Sequence, residues 1–294
     1  MAEPELADLE AAELQPHEPG DFDRDTAVQL QDQTESTRRF AAEVSPGWRA
    51  GRGPHGGYLA AMLLRALVKT VADPARSPRS LTIHYARAPD PGPVTILTSI
   101  ERSGRSLSTL SARMEQDGKL VALALAAFSV PWTAQEIAEL AMPEVAAPDQ
   151  TREPIHGNHG APLFTRHLLL QPRIGAVPFS GSDEPMAFGA WLGLVQPRPI
   201  DALALAFFCD ALLPTPFIRL TDPAVSPTVD LTIHFRTAHP GEAMPNPEEL
   251  CFAHSTTGVL HEGFFDEDCV IWAPDGTVLA QSRQLALVIP LPNS

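Results

Sequence analysis

The sequence predicts an α+β fold written twice: two tandem repeats, each a curled antiparallel sheet around one long helix. Three observations point there. The phrase Leu81-Thr-Ile-His-Tyr85 recurs as Leu231-Thr-Ile-His-Phe235, 150 residues later in a chain of 294, and both copies run into a basic, Pro-containing turn. An Asp-Gly pair follows each copy, Asp117-Gly118 and Asp275-Gly276, and Asp-Gly between two β-like runs is a strong hairpin signal. Each repeat also holds one run that is apolar almost all round, as a helix wrapped by a sheet must be.

Taken in order, residues 1–20 are acidic with few large apolar side chains and predict a loose, disordered tail. The first repeat is expected over residues 21–132. Ala27–Leu30 and Arg39–Val44 have the composition of short strands. The breaker-rich loop Trp48–Gly57 then opens into Tyr58–Val71, a helix whose middle carries only Arg65 and Lys69 as polar residues. Strands are expected at Leu81–Ala86, Val94–Arg102, Ser106–Gln116 and Leu120–Val130. A linker over 133–160 includes a short helix at Ala134–Leu140. The second repeat, 161–290, should hold strands at His167–Ile174 and Met186–Val195. Its helix, Asp201–Leu213, has Asp201 as N-cap and is stopped by Pro214 and Pro216. Four strands follow, at Thr228–Arg236, Glu249–Thr257, Val259–Ala273 and Val278–Ile289.

Composition narrows the function classes. A net charge of −15 argues against nucleic acid as a partner. No apolar run reaches the roughly 18 residues of a membrane span. The acidic start lacks a secretory design, and Cys209, Cys251 and Cys269 form neither a disulfide framework nor a metal pattern, so a reducing cytoplasm is expected. No His/Cys/carboxylate spacing calls for a metal or cofactor. The charge is unevenly spread: residues 38–119 hold 13 Lys/Arg against 6 Asp/Glu. Such a segment can hold a small anionic ligand or form a solvated positive face.

Asp210 is the sharpest chemical signal, because it lies within Ala-Phe-Phe-Cys-Asp-Ala-Leu-Leu. A carboxylate among apolar side chains needs a partner from elsewhere or a task that uses a raised pKa. Near the C-terminal end of its own helix it also meets the unfavourable end of the dipole. Gln284 lies on the last strand, where alternation puts Ala280, Ser282, Gln284 and Ala286 on one face. Aligning the two Asp-Gly turns places Ala126 opposite it in the first repeat, so only the second copy is polar there. Thr228 begins the strand of the second phrase. His55, just before Gly56-Gly57, is a loop histidine with either a structural or a catalytic part to play, whereas His84 and His234 belong to the repeat and suit structural hydrogen bonds. Ser106, Ser108 and Ser111 lack the Gly-x-Ser-x-Gly setting of a serine hydrolase.

With these residues in place, the chain resembles acyl-CoA thioesterases of the thioesterase II type, a double hot-dog family. The likeness covers roughly residues 38–130 and 185–290. In the first repeat it rests on Gly56-Gly57, on His84-Tyr85-Ala-Arg87 with its Pro turn, and on Arg102-Ser-Gly-Arg-Ser106 before Asp117-Gly118. In the second it rests on Asp210, on Thr228-Val-Asp230 with Phe235-Arg236, and on Asp275-Gly276 leading to Gln284. The resemblance implies hydrolysis of an acyl-CoA without a cofactor, by a water that Asp210, Thr228 and Gln284 hold. Asp210 would be the base. Backbone N–H groups at Gly56-Gly57 would be oxyanion donors. Arg52, Arg87, Arg102 and Arg105 are candidates for the CoA phosphates, and a homo-oligomer through the sheets is expected. Two rivals stand beside it: a hot-dog hydratase or dehydratase acting on enoyl thioesters through His55, and a non-catalytic acyl-thioester-binding protein.

Overall fold

The computed structural model describes residues 22–150 and 161–291. The expected acidic tail, 1–20, and the linker stretch 151–160 lie outside the described residues. In the first repeat, strands β1 (Val28–Gln33) and β2 (Thr37–Val44) precede helix α1 (Gly56–Val71). Four antiparallel strands follow it: β3 (Ser77–Tyr85), β4 (Gly92–Ser103), β5 (Leu107–Gln116) and β6 (Lys119–Ser129). The second repeat has β7 (Leu168–Ile174), β8 (Ala187–Leu194), helix α2 (Ala202–Phe208), β9 (Thr228–Phe235), β10 (Cys251–Thr256), β11 (Phe264–Trp272) and β12 (Val278–Leu287). Each repeat sets its helix against the inner face of its sheet, which is the double hot-dog arrangement.

The two sheets are not separate. Strand order runs β1-β2-β4-β5-β6-β3-β9-β12-β11-β10-β8-β7, and the pair Leu260–His261 adds a thirteenth strand against β11. Outward from the seam between β3 and β9, both halves repeat the same sequence of strand positions. The recurring phrases meet at that seam. Antiparallel register pairs Leu81 with Ile233, Thr82 with Thr232, and Ile83 with Leu231. A pseudo-twofold axis therefore passes between the two threonines. Alternation buries Leu81, Ile83, Leu231 and Ile233 completely and leaves His84 and His234 on the exposed outer face. The histidines thus stand in solvent and do not serve the structural hydrogen bonding expected of them.

Turn chemistry sets the hairpins. Asp117 and Gly118 both adopt positive φ, as a tight two-residue turn between twisted strands demands. The long strand expected over Val259–Ala273 is broken by a second such turn at Glu262 and Gly263, φ 52° and 80°. The short helix expected at Ala134–Leu140 is absent. That stretch is exposed along its whole length, and a single helical turn or two with no surface to bury against is not stable in water.

Helix α1 begins two residues earlier than composition indicates, at Gly56, because His55 caps it: its Nδ1 accepts the Tyr58 N–H at 3.3 Å. Helix α2 is shorter than expected. Asp201 caps its start, with Oδ1 accepting the Ala204 N–H at 2.9 Å, but the helix ends at Phe208. Its terminal carbonyls are claimed by other elements, Cys209 O by the Ser282 hydroxyl at 3.2 Å and Asp210 O by His55 Nε2 at 2.8 Å. Asp210 accordingly lies in a turn beyond the helix. The two helices pack on each other within one apolar core shared by both repeats.

Candidate active site

The turn after α2 drives the Asp210 carboxylate against the N-terminus of α1. Oδ2 accepts the Gly57 N–H at 2.7 Å and lies 3.5 Å from His55 Nε2. This contact explains the glycine pair. A Cβ on Gly57 would stand 2.6 Å from Phe207 O and 3.0 Å from the Asp210 Cβ, and one on Gly56 would stand 2.8 Å from Asp210 Oδ2. Asp210 therefore faces the favourable, positive end of α1 and not merely the unfavourable end of its own helix. The Gly57 N–H, expected to point outward unpaired, is occupied by this carboxylate.

The side chain of Asp210 is only 10% exposed. Burial raises its pKa, and His55 and the Gly57 N–H offset part of that rise. Burial pushes His55 the other way, toward the neutral ring. Because Nδ1 accepts from Tyr58, the neutral ring carries its proton on Nε2 and donates it to the Asp210 carbonyl. Both ring nitrogens are thereby engaged, and the ring stacks on Phe164 at 4.0 Å. His55 has no lone pair left to act as a base. Tyr85 completes this wall, donating its hydroxyl to Gly56 O at 2.9 Å.

Between β9 and β12, the Thr228 hydroxyl donates to Gln284 Oε1 at 2.9 Å. Gln284 is held on its other side by Glu267, whose Oε1 accepts from Nε2 at 3.3 Å. Ser282, two residues before Gln284 on the same face of β12, bonds the residue preceding Asp210 and so packs that turn against the strand. Asp210 also acts electrostatically on Glu267. Asp210, Gly56, Gly57, His55 and Tyr85 thus form one contact group, Thr228, Gln284 and Glu267 a second, and Ser282 and the electrostatic effect of Asp210 on Glu267 link the two.

The four arginines do not gather. A Cβ on Gly53 would lie 2.6 Å from the Ala88 Cβ, which places the loop carrying Arg52 beside the turn carrying Arg87 at the α1 N-terminus. Arg102 and Arg105 sit by the opposite end of that helix, where Arg76, just past α1, donates to Gly104 O and Arg105 O at 2.8 and 3.1 Å. Sixteen helical residues separate the two ends by about 24 Å. The basic segment is continuous in sequence and divided in space.

Glu267 was not legible as a site residue because the acidic run Asp266-Glu267-Asp268 reads as a solvated stretch of strand. Strict alternation gives the signal: Phe265, Glu267, Cys269 and Ile271 are all buried, while Asp266 and Asp268 face outward to Arg283.

Two family models match the chain, the second beginning within the expected linker. Residues 44–129 match the acyl-CoA thioesterase N-terminal domain, and residues 141–288 match the acyl-CoA thioesterase C-terminal domain. An uncharacterized protein of Mycobacterium tuberculosis is 25% identical, over 85% of this chain and 91% of its own. A conserved protein of unknown function with a hot dog fold from Alicyclobacillus acidocaldarius superposes with a TM-score of 0.80 at 26% identity, covering 92% of this chain and 98% of that one. A candidate thioesterase II from Thermobifida fusca superposes at 0.73, also 26% identical, covering 91% and 97%.

Proposed function

The chain belongs to the acyl-CoA thioesterase family, and on that premise we propose that it hydrolyses an acyl-CoA with a water held by Asp210, Thr228 and Gln284. The observation that carries this proposal is the hydrogen bond from Thr228 on β9 to Gln284 on β12, the strand whose Ser282 holds the Asp210 turn. Asp210, its pKa raised by burial, takes the proton of the water. The water oxygen attacks the thioester carbonyl carbon, the C–S bond breaks, and the proton held by Asp210 passes to the leaving sulfur, giving the free acid and the CoA thiol. Thr228 and Gln284 orient the water before the step, so that little reorganisation is left for the transition state. With its N–H given to Asp210, Gly57 serves to place the base. Arg52 and Arg87, at the same end of α1, are the arginines suited to the CoA phosphates.

Neither rival gains support. A hydratase working through His55 needs a free ring nitrogen, and both are bonded. A purely binding protein would release no thiol, which the substrate panel below decides. A homo-oligomer through the sheets is part of the same proposal. Leu123, Leu125 and Leu285 stand exposed on the outer face around the seam, and a second copy would cover them. Among the described residues, no helix is long and apolar enough to cross a membrane.

A panel of acetyl-, octanoyl- and palmitoyl-CoA with thiol detection tests the proposal. Thiol release that falls 10²–10⁴-fold in Asp210→Asn supports it. Absence of release from every substrate, or near-full release by Asp210→Asn, overturns it.

A further inference from the structure

Glu267 is a buried carboxylate that, among the described residues, forms no ion pair. It is 4% exposed, and burial lifts its pKa from 4.5 to about 7, with Asp210 adding in the same direction. Such a group costs stability unless something else retains it. Its contacts name what that is. Oε1 accepts from Gln284 Nε2 at 3.3 Å, and Oε2 accepts the Thr215 N–H at 2.8 Å. Thr215 lies five residues past Asp210 on the same segment. Its hydroxyl proton is divided between Thr257 Oγ1 at 2.6 Å and Glu267 Oε2 at 3.1 Å, while Thr257 donates onward to Asp266 O. Glu267 therefore joins the segment that carries Asp210 to the strand that carries Gln284.

The pseudo-symmetry supplies an internal control. In the second repeat, Leu231 pairs with Gln284 and Gln284 with Glu267. In the first, Leu81 pairs with Ala126 and Ala126 with Leu110. Thr228 and its partner Ala286 correspond likewise to Pro78 and its partner Phe128. The same sheet position is thus satisfied by Leu110, fully buried, where no water has to be held. Packing does not require a carboxylate there.

We propose that Glu267 is a positioning residue that fixes which way the Gln284 amide points and ties that amide to the Asp210 segment. The inference rests on the hydrolase function proposed above. An ionised Glu267 accepts only, so the amide NH2 must face it and the carbonyl must face Thr228, which then donates. A protonated Glu267 can donate to the carbonyl instead, which lets the amide reverse and changes the polarity offered to the water. The groups around Glu267 are few. Asp210, with His55 and Cys209 beside it, faces it from the α2–α1 junction, and Cys269 from its own strand. Asp266 and Asp268 turn to the other face, against Arg283.

Glu267→Gln keeps the shape but provides an NH2 toward Gln284, so the amide is free to reverse. Using whichever of acetyl-, octanoyl- and palmitoyl-CoA is cleaved fastest, kcat should fall at least tenfold with KM within twofold. The rising limb of the kcat–pH profile should move to lower pH, because Asp210 loses a like-charged neighbour. An unchanged kcat and limb overturn the proposal, since a merely structural glutamate leaves the profile where it was. A second measurement does not depend on turnover. The side-chain amide resonance of Gln284, identified by its loss in Gln284→Ala, should titrate between pH 6 and 8 in the wild type and stay fixed in Glu267→Gln. A resonance that does not titrate overturns the role of Glu267 whatever the enzyme hydrolyses. A wild type that releases no thiol yet shows the titration overturns the hydrolase function alone.

Discussion

Thr82 and Thr232, 150 residues apart in sequence, stand opposite each other across the β3–β9 seam with their hydroxyl oxygens 3.1 Å apart. The same residue of each repeat meets its counterpart, so the two sheets fuse through the phrase that marks the repetition. The core beneath is shared, with Leu81, Ile83, Leu231 and Ile233 all fully buried.

Unfolding of the two halves should therefore be coupled. Ile83→Ala and Ile233→Ala each remove three carbons from this core and should cost about 2–5 kcal/mol. Because the seam belongs to both repeats, either change should shift one cooperative urea transition. Two separated transitions, one per repeat, would show that the seam does not bind the halves together.

The Thr228–Gln284 pair should behave as a unit. Gln284→Ala is expected to lower kcat roughly 10- to 1000-fold, as the loss of one preorganised polar group does. Thr228→Val should do the same in kind. The double variant should cost little more than the worse single one, because each change already strips the other residue of its partner. Steady-state kinetics of the four proteins measure this, and costs that simply add would contradict the shared role. Active-site titration with a slow acyl-CoA analogue should count one site per chain, since Pro78 and Ala126 stand where the first repeat would need Thr and Gln.

The arginines should separate into two pairs. Arg52→Glu and Arg87→Glu reverse charge near the α1 N-terminus and should raise KM for acyl-CoA about tenfold or more, with a weaker dependence on salt. Arg102→Glu and Arg105→Glu, about 24 Å away by helix length, should leave KM within twofold. Equal effects from all four would mean the phosphates lie elsewhere.

Stability should depend on pH through Glu267. Its carboxyl holds a proton more tightly folded than unfolded, since burial lifts its pKa from 4.5 to about 7. The folded state gains from this below pH 4.5 and loses the gain as pH rises to about 7. The loss is on the order of 3 kcal/mol. Asp210, also raised, contributes with the same sign. Unfolding free energies at pH 5 and pH 8 should thus show Glu267→Gln gaining on the wild type as pH rises. A constant difference between the two proteins would place Glu267 in a more solvated setting.

What the sequence determined by itself is local. Alternation set which residues of Leu279–Val288 face inward, two Asp-Gly turns marked the hairpins, and their alignment named Ala126 as the counterpart of Gln284, the same match the strand registers give. These follow from a two-residue strand period and from turn dihedrals, which neighbouring residues decide. Tertiary structure decided what distant segments do to one another. It ended α2 at Phe208, because Ser282 and His55 bond the carbonyls of the turn, and it carried Asp210 to the Gly57 N–H, 153 residues away. It set Glu267 against Gln284 and the Thr215 segment, and it divided the arginines between the two ends of α1. No local period encodes such meetings, because they are set by how the two apolar helices and the fused sheet bury one another.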